Sequence, residues 1–355
     1  MTAQEIAFKP QVNSDVLMRI EDLVMHFPIM QGVVFQHKVG AVHAVDGVSL
    51  AIPRGQTVGL VGESGSGKST IGRTLVRLYK PTSGHLYLEN DDLAELEGNQ
   101  LRAVRRRVQM VFQDPFASLD PRLTVGALIA EPMVIHNIGM RNEIRQRTED
   151  LLRTVGLNPN FIDRYPHEFS GGQRQRIAIA RAISIEPQFI IADEPVSALD
   201  VSIRAQILNL MQRLQRSMGL TYLFISHDLS VVRHVAQRTA VMYLGKLMEV
   251  ADGPEVYVNP LHPYTAALLS AVPIADPKTE KRRSRILLGG DLPSPINIPS
   301  GCRFHTRCPL AQQICREVEP PLEDKTANGH FAACHFSDKV DALVKKGSIS
   351  GMGSL

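Results

Sequence analysis

Gly62-Glu63-Ser64-Gly65-Ser66-Gly67-Lys68-Ser69-Thr70 is the stretch that most limits what this chain can become. It fits G-x-x-x-x-G-K-[ST], the pattern of a phosphate-binding loop. Thr57 to Val61 before it is a short apolar run that reads as a buried strand, and Ile71 to Leu78 after it has helical character. A Gly/Ser-rich turn that binds nothing is the plainer reading, and the flanking strand and helix argue against it. Gly62, Gly65 and Gly67 let the backbone curl until its N–H groups point inward. The helix that follows adds the positive end of its dipole. Lys68 brings a point charge for the β- and γ-phosphates, and Ser69 a hydroxyl for Mg²⁺. The expected fold is α/β, with a parallel sheet whose strand ends carry the site.

Phe189 to Glu194, about 125 residues further on, is an apolar strand ending in Asp193 and Glu194. Strands often end in acids, so this stretch gains weight only beside the phosphate loop. There Asp193 suits Mg²⁺, and Glu194 suits a water attacking the terminal phosphate. Ser170-Gly171-Gly172-Gln173 reads as a capped helix start and a second anion-binding end. One terminal phosphate hardly needs two such cradles in one chain.

The 355 residues suffice for one large domain or two ordinary ones. A net charge of +3, from 39 basic and 36 acidic residues, does not mark a dedicated nucleic-acid binder. Arg102, Arg105, Arg106 and Arg107 read as a solvated helix face. No apolar run reaches the ~18 residues of a membrane helix, and Met1 to Pro10 lacks the pattern of a signal peptide. The chain is expected to be cytosolic, or held at a membrane only through partners.

In order, residues 1–15 are polar and expected to be loose. Val16 to Phe27 and Val42 to Ile52 read as strands joined by a long loop. Residues 116–184 read as a mostly helical insertion punctuated by prolines. Val201 to Met218 forms an amphipathic helix with Ile203, Ile207, Leu210, Met211, Leu214 and Met218 on one face. Thr221 to Ile225 is a strand that delivers His227, and a strand pair closes around Gly245. After Gly253 proline recurs, so 254–340 reads as a smaller region whose fold depends on something besides a core, and 341–355 as a flexible tail.

Gly62–Ser69, Gln113, Phe169–Gln173, Asp193–Glu194, Ser197–Asp200 and His227 occur in this order. Over roughly residues 16–250 the chain resembles the nucleotide-binding subunit of ATP-binding cassette transporters. The resemblance implies an ABC-type P-loop NTPase fold with an antiparallel β subdomain. It makes Gln113 the glutamine that senses Mg²⁺ and the attacking water, and Phe169–Gln173 the signature motif, with Phe where Leu is usual. Ser197–Asp200 becomes the loop that communicates between sites, with Asp200 at its end, and His227 the switch histidine on the γ-phosphate. Lys68, Gln113, Glu194 and His227 are thus the expected catalytic residues. Phe27 is the expected adenine-stacking residue, with Phe35 the alternative.

Asn259–Thr265, Leu292–Pro295 and Gly301–Pro309 resemble the ATP-binding subunits of bacterial oligopeptide, dipeptide and nickel importers. The implied activity is ATP hydrolysis driving solute uptake, peptides first, with nickel or another small solute as the alternative. A soluble cassette ATPase of repair or translation is the rival from another class, and its usual tandem cassettes or coiled-coil insertions are absent here. The implied partners are a second, related ATPase chain, two transmembrane permeases and a periplasmic binding protein, with no nucleic acid. The implied place is the cytoplasmic face of the inner membrane. The four cysteines read C-x5-C-x6-C-x18-C: Cys302, Cys308, Cys315 and Cys334. Four thiolates can complete a tetrahedral zinc site or ligate a [4Fe–4S] cluster, or remain unligated. In related subunits this pattern holds a [4Fe–4S] cluster, so the resemblance implies iron–sulfur in a structural role.

Overall fold

A computed structural model describes residues 15–32, 37–272 and 285–346. Phe35, most of the expected loose N-terminus and the end of the tail lie outside the described residues. The first sheet is antiparallel, in the order β2-β1-β4-β5. It comprises β1 (Val16–Gln31), β2 (His37–Pro53), β4 (Ser83–Leu88) and β5 (Asp91–Asp92). The first two strands run further than the sequence suggests. Their pairing continues from Phe27↔Val42 through Ile29↔Gly40 to Gln31↔His37, across what reads as loop. Those residues gain ladder hydrogen bonds although little of them is buried, so no apolar pattern marks them.

The second sheet has the order β11-β12-β10-β9-β3-β8-β7-β6. Its parallel part contains β3 (Thr57–Val61), β6 (Val108–Val111), β7 (Phe189–Asp193), β8 (Thr221–Ser226) and β9 (Arg238–Tyr243). β3, β7 and β8 are buried along their whole length. That is why they read as continuous apolar runs rather than alternating ones. Successive residues still face opposite cores: Ile190, Ala192, Tyr222 and Phe224 belong to one, Phe189, Ile191, Leu223 and Ile225 to the other.

Helices cover both faces. They are α1 (Lys68–Leu75), α2 (Gly98–Arg107), α3 (Pro115–Ser118), α4 (Val125–Ile135), α5 (Arg141–Thr154), α6 (Gly171–Ile183), α7 (Val201–Met218) and α8 (Leu229–Val235). The stretch from α3 to α6 is predominantly helical, as the proline-punctuated sequence suggests. On α2, three of the four arginines are tied into the protein: Arg102 to the Ile135 carbonyl, Arg105 to the Arg77 carbonyl, and Arg107 to Glu89 and Asp91.

The region after Gly253 departs from expectation. Its pieces are α9 (Glu255–Val258), α10 (Pro263–Ala271), α11 (Gln313–Glu317), β11 (Glu323–Asp324), β12 (Phe331–Ala332) and α12 (Val340–Lys346). β12 pairs with β10 (Lys246–Asp252), so this region extends the large sheet. Tyr264, Leu269, Cys302, Phe304 and Cys315 share the core of that sheet's helical face. The sequence hides this because each piece is short and buries one or two side chains against partners far away in the chain.

A buried carboxylate fastens the join. Glu249 on β10 is fully buried and accepts hydrogen bonds from the Leu261 and His262 N–H groups, both 2.9 Å, and pairs with His330 at 2.7 Å. His262 caps α10, its Nδ1 accepting from the Tyr264 N–H at 3.1 Å. Burial pushes the His262 pKa down to about 3 against a hydrogen bond to the Ala333 backbone. The folded state therefore favours the neutral ring. Its contribution to stability is full above the unfolded value near 6.5 and is lost as pH falls from there toward 3, by up to about 1.4 kcal/mol per pH unit. Urea unfolding at pH 7.5 and pH 5 should show a larger acid loss in the native chain than in His262→Gln. Equal losses would contradict the assignment.

Candidate nucleotide site

The chemistry gathers at the carboxyl ends of β3, β6, β7 and β8, where an open α/β sheet places its ligands. β3 runs straight into the loop. Gly62, Gly65 and Gly67 all take positive φ, 155°, 79° and 106°. At Gly67 a side chain is excluded twice: by that φ, and because a Cβ would lie 2.1 Å from the Ala44 carbonyl oxygen. Lys68 opens α1 and folds back over the loop. Its Nζ donates to the Gly62 and Glu63 carbonyls, both 2.8 Å, and to Ser66 Oγ at 3.3 Å. Burial lowers its pKa, opposed by Glu194, Asp193 and Glu63. Ser64 and Gly65 are exposed at the tip, and Thr70 lies half-buried inside α1.

Ser69 Oγ donates to Asp193 Oδ1 at 2.8 Å. Asp193 is buried, which raises its pKa, while Ser69 and Arg73 act in the other direction. Glu194, one residue on, sits at φ 48° and is pinned by its N–H to the Ile225 carbonyl, 3.0 Å. A non-glycine residue in the left-handed region is strained, and such strain collects at functional sites. Here it turns the carboxylate toward two residues that the resemblance singled out, though not as its partners. Gln113 Nε2 donates to Glu194 Oε2 at 3.1 Å, and His227 Nδ1 lies 3.1 Å from the same oxygen. Three residues 113, 194 and 227 positions into the chain thus meet on one atom.

Ser170 caps α6 through a reciprocal pair: its Oγ accepts from the Gln173 N–H at 3.4 Å, and its own N–H donates to Gln173 Oε1 at 3.0 Å. The helix starts at Gly171, directly after this cap. At Gly172 a Cβ would meet Ile203 Cγ2 at 2.4 Å, so the glycine lets α6 and α7 approach closely. Among the described residues, no hydrogen bond joins Ser170–Gln173 to Gly62–Thr70. Ser197 bonds back to the Glu194 carbonyl at 3.0 Å, and Asp200 is exposed at the start of α7. Phe27 is half-buried on β1, its ring edge-on to Tyr79 with centroids 5.2 Å apart.

The sequence matches the ABC transporter family over residues 45–197, and the C-terminal region of oligopeptide/dipeptide transporters over residues 248–315. It is 56% identical over 325 residues to the oligopeptide transport ATP-binding protein AppF of Bacillus subtilis (strain 168), covering 91% of this chain and 98% of that one. The chain belongs to the ABC transporter ATP-binding family. OppF of Escherichia coli (strain K12), also an oligopeptide transport ATP-binding protein, is 54% identical over 92% of this chain and 97% of its own. The ATP-binding cassette MJ0796, solved as a dimer in a post-hydrolysis state bound to ADP and Pi, is similar with a TM-score of 0.59. Its identity is 30%, over 66% of this chain and 98% of that one. CbiO1 of Clostridium perfringens, part of an ABC transporter complex, gives 0.58 at 27% identity, over 68% and 91%.

An ABC ATPase works on ATP with Mg²⁺, and the residues present fit both. A curled loop with a buried lysine suits the phosphates, and the Ser69–Asp193 pair offers the hard oxygen ligands that Mg²⁺ prefers. The iron–sulfur expectation is corrected. Among the described residues, no three of Cys302, Cys308, Cys315 and Cys334 bring their sulfurs within 4.8 Å of one another. The cavity they line holds about 10 Å³ of water-sized space, about one water. Burial pushes Cys302 up to about 11 and Cys308 up to about 12, and raises Cys334. Cys302 and Cys315 pack in the core as small apolar side chains. The relatives, for their part, are described as ATP-binding proteins. Spacing alone gave the order of the cysteines and not how far apart the fold holds their sulfurs.

Three residues escaped the sequence reading: Arg303, Arg307 and Tyr264, all of which reach the phosphate loop or its neighbours from the far end of the chain. The run Cys302–Cys308 was conspicuous, but as a family mark and for its cysteines, not for its arginines.

Proposed function

We propose that this chain is the ATP-hydrolysing subunit of an ABC importer that drives peptide uptake, working at the cytoplasmic face of the inner membrane. The observation that carries the reading is the meeting of Gln113 and His227 on Glu194 Oε2, beside a phosphate loop. The peptide assignment is supported by relatives above 50% identity that are described as oligopeptide transport proteins.

Gly62 to Thr70 wraps the phosphates, with Lys68 swinging from its own loop carbonyls to the β- and γ-phosphates. Ser69, Asp193 and Gln113 would hold Mg²⁺, which would supply positive charge against the phosphate oxygens. Glu194 orients and polarises the attacking water. His227 exchanges its hydrogen bond to Glu194 for the γ-phosphate, and Gln113 reports whether that site is filled. Phe27 stacks on adenine. Ser170–Gln173 has no hydrogen bond to its own phosphate loop and caps the ATP of a second cassette, with Asp200 relaying between the two sites. The assembly is a heterodimer with a related ATPase, two transmembrane permeases and a periplasmic solute-binding protein. The permeases dock near Phe116–Pro132, where Phe112, Leu119, Pro132 and Ile135 line a cleft of about 300 Å³.

Deleting the gene and measuring uptake of labelled peptides tests this directly. Uptake should fall to background and return with the native gene but not with Lys68→Ala. Full uptake in the deletion strain would overturn the transport reading.

A further inference from the structure

Residues 302–308 form a turn anchored by Phe304, which is fully buried with its ring 5.3 Å from those of Tyr243 and Tyr264. Two arginines leave this anchor. Arg303 donates to the Leu244 carbonyl at 2.6 Å and pairs with Asp46. The next residue along, Gly245, donates its N–H to the Ser66 carbonyl at 2.9 Å. Arg307 grips the other side of the loop, donating to both carboxylate oxygens of Glu63 at 2.7 and 3.2 Å. The Glu63 N–H donates to Tyr264 Oη at 2.8 Å. The second residue of the phosphate loop is therefore held by side chain and backbone, from residues 244 and 201 positions later.

The pair differs from an ordinary surface ion pair. It is bidentate, and the two side chains are only 11% and 29% exposed. Its place also matters. A carboxylate inside a loop that receives a triphosphate repels its ligand, and Glu63 lies near enough to influence Lys68.

We propose that Arg307 is a positioning residue for nucleotide binding: it neutralises Glu63 and fixes the start of the loop, so that the triphosphate meets a preformed, cationic cradle. This rests on the ATPase reading above. The cysteine-bearing turn is on this account part of the nucleotide site, although no atom of it need touch ATP.

The test is a double-mutant cycle on the full chain, read as the Kd for a fluorescent ATP analogue. Arg307→Ala should weaken binding about tenfold, the loss of one charge-assisted pair. In a Glu63→Gln background the same substitution should cost less than twofold, because no charge is left to mask. Arg307→Lys should recover part of the loss. In the assembled transporter Arg307→Ala should raise KM with kcat changed less than twofold. A lowered melting temperature with unchanged Kd would overturn the proposal, as would a tenfold loss that persists in the Glu63→Gln background. A native chain that binds no nucleotide would instead sink the ATPase reading.

Discussion

Glu194→Gln should lower ATP turnover by about 10²- to 10⁴-fold, the usual yield of a positioned general base, while ATP binding survives. Gln has the shape of Glu and keeps an acceptor for Gln113 Nε2, now 3.1 Å from the carboxylate. The backbone strain at φ 48° belongs to the position and is unchanged. What is lost is the charge that polarises water. The variant should therefore accumulate as a closed, ATP-filled dimer of cassettes, visible by size exclusion with the partner subunit present. Turnover within twofold of the native enzyme would remove Glu194 from the mechanism and leave His227, 3.1 Å away, as the candidate base.

The largest effect on stability is expected at Glu249→Ala, about 3–5 kcal/mol, the range seen when one partner of a buried charged network is removed. Glu249 is fully buried, and its two oxygens take the N–H groups of Leu261 and His262 and the ring of His330. Alanine would leave these groups without their acceptor beside a fully buried position. Glu249→Gln, which keeps one acceptor oxygen, should lose less. Urea unfolding measures both. A loss under about 1 kcal/mol for the alanine variant would show that the donors find other partners.

These two glutamates mark what the sequence reveals and what it conceals. Glu194 stands out because it ends an apolar strand downstream of a phosphate loop, and the family resemblance adds Gln113 and His227 to it. Glu249 sits in a strand that reads equally well without it, and its partners lie 12, 13 and 81 residues away. The same holds for Glu63, which the sequence places in the phosphate loop without showing its partner Arg307, 244 residues away. The parallel strands were legible because full burial writes itself as an unbroken apolar run. β11 and β12 were not, because two residues of pairing carry no period. The cysteines misled for a related reason. Their spacing suggested ligation, whereas what decides ligation is the surroundings, and Cys302 and Cys315 are packed among core side chains.

The short β12 has a consequence out of proportion to its length. β10 is buried from Leu247 to Ala251 and has β9 on one side. On the other side Glu249 and Val250 are covered by Ala332 and Phe331, and the Met248 carbonyl accepts from the Ala333 N–H at 2.8 Å. Without that cover β10 would be an apolar edge with open hydrogen-bonding groups, the kind of surface that recruits strands from other molecules. The C-terminal region is thus a shield against self-association as well as a grip on the loop. A chain without this region would carry β10 as the margin of its sheet, and would need charged or bulged residues there to keep it unpaired.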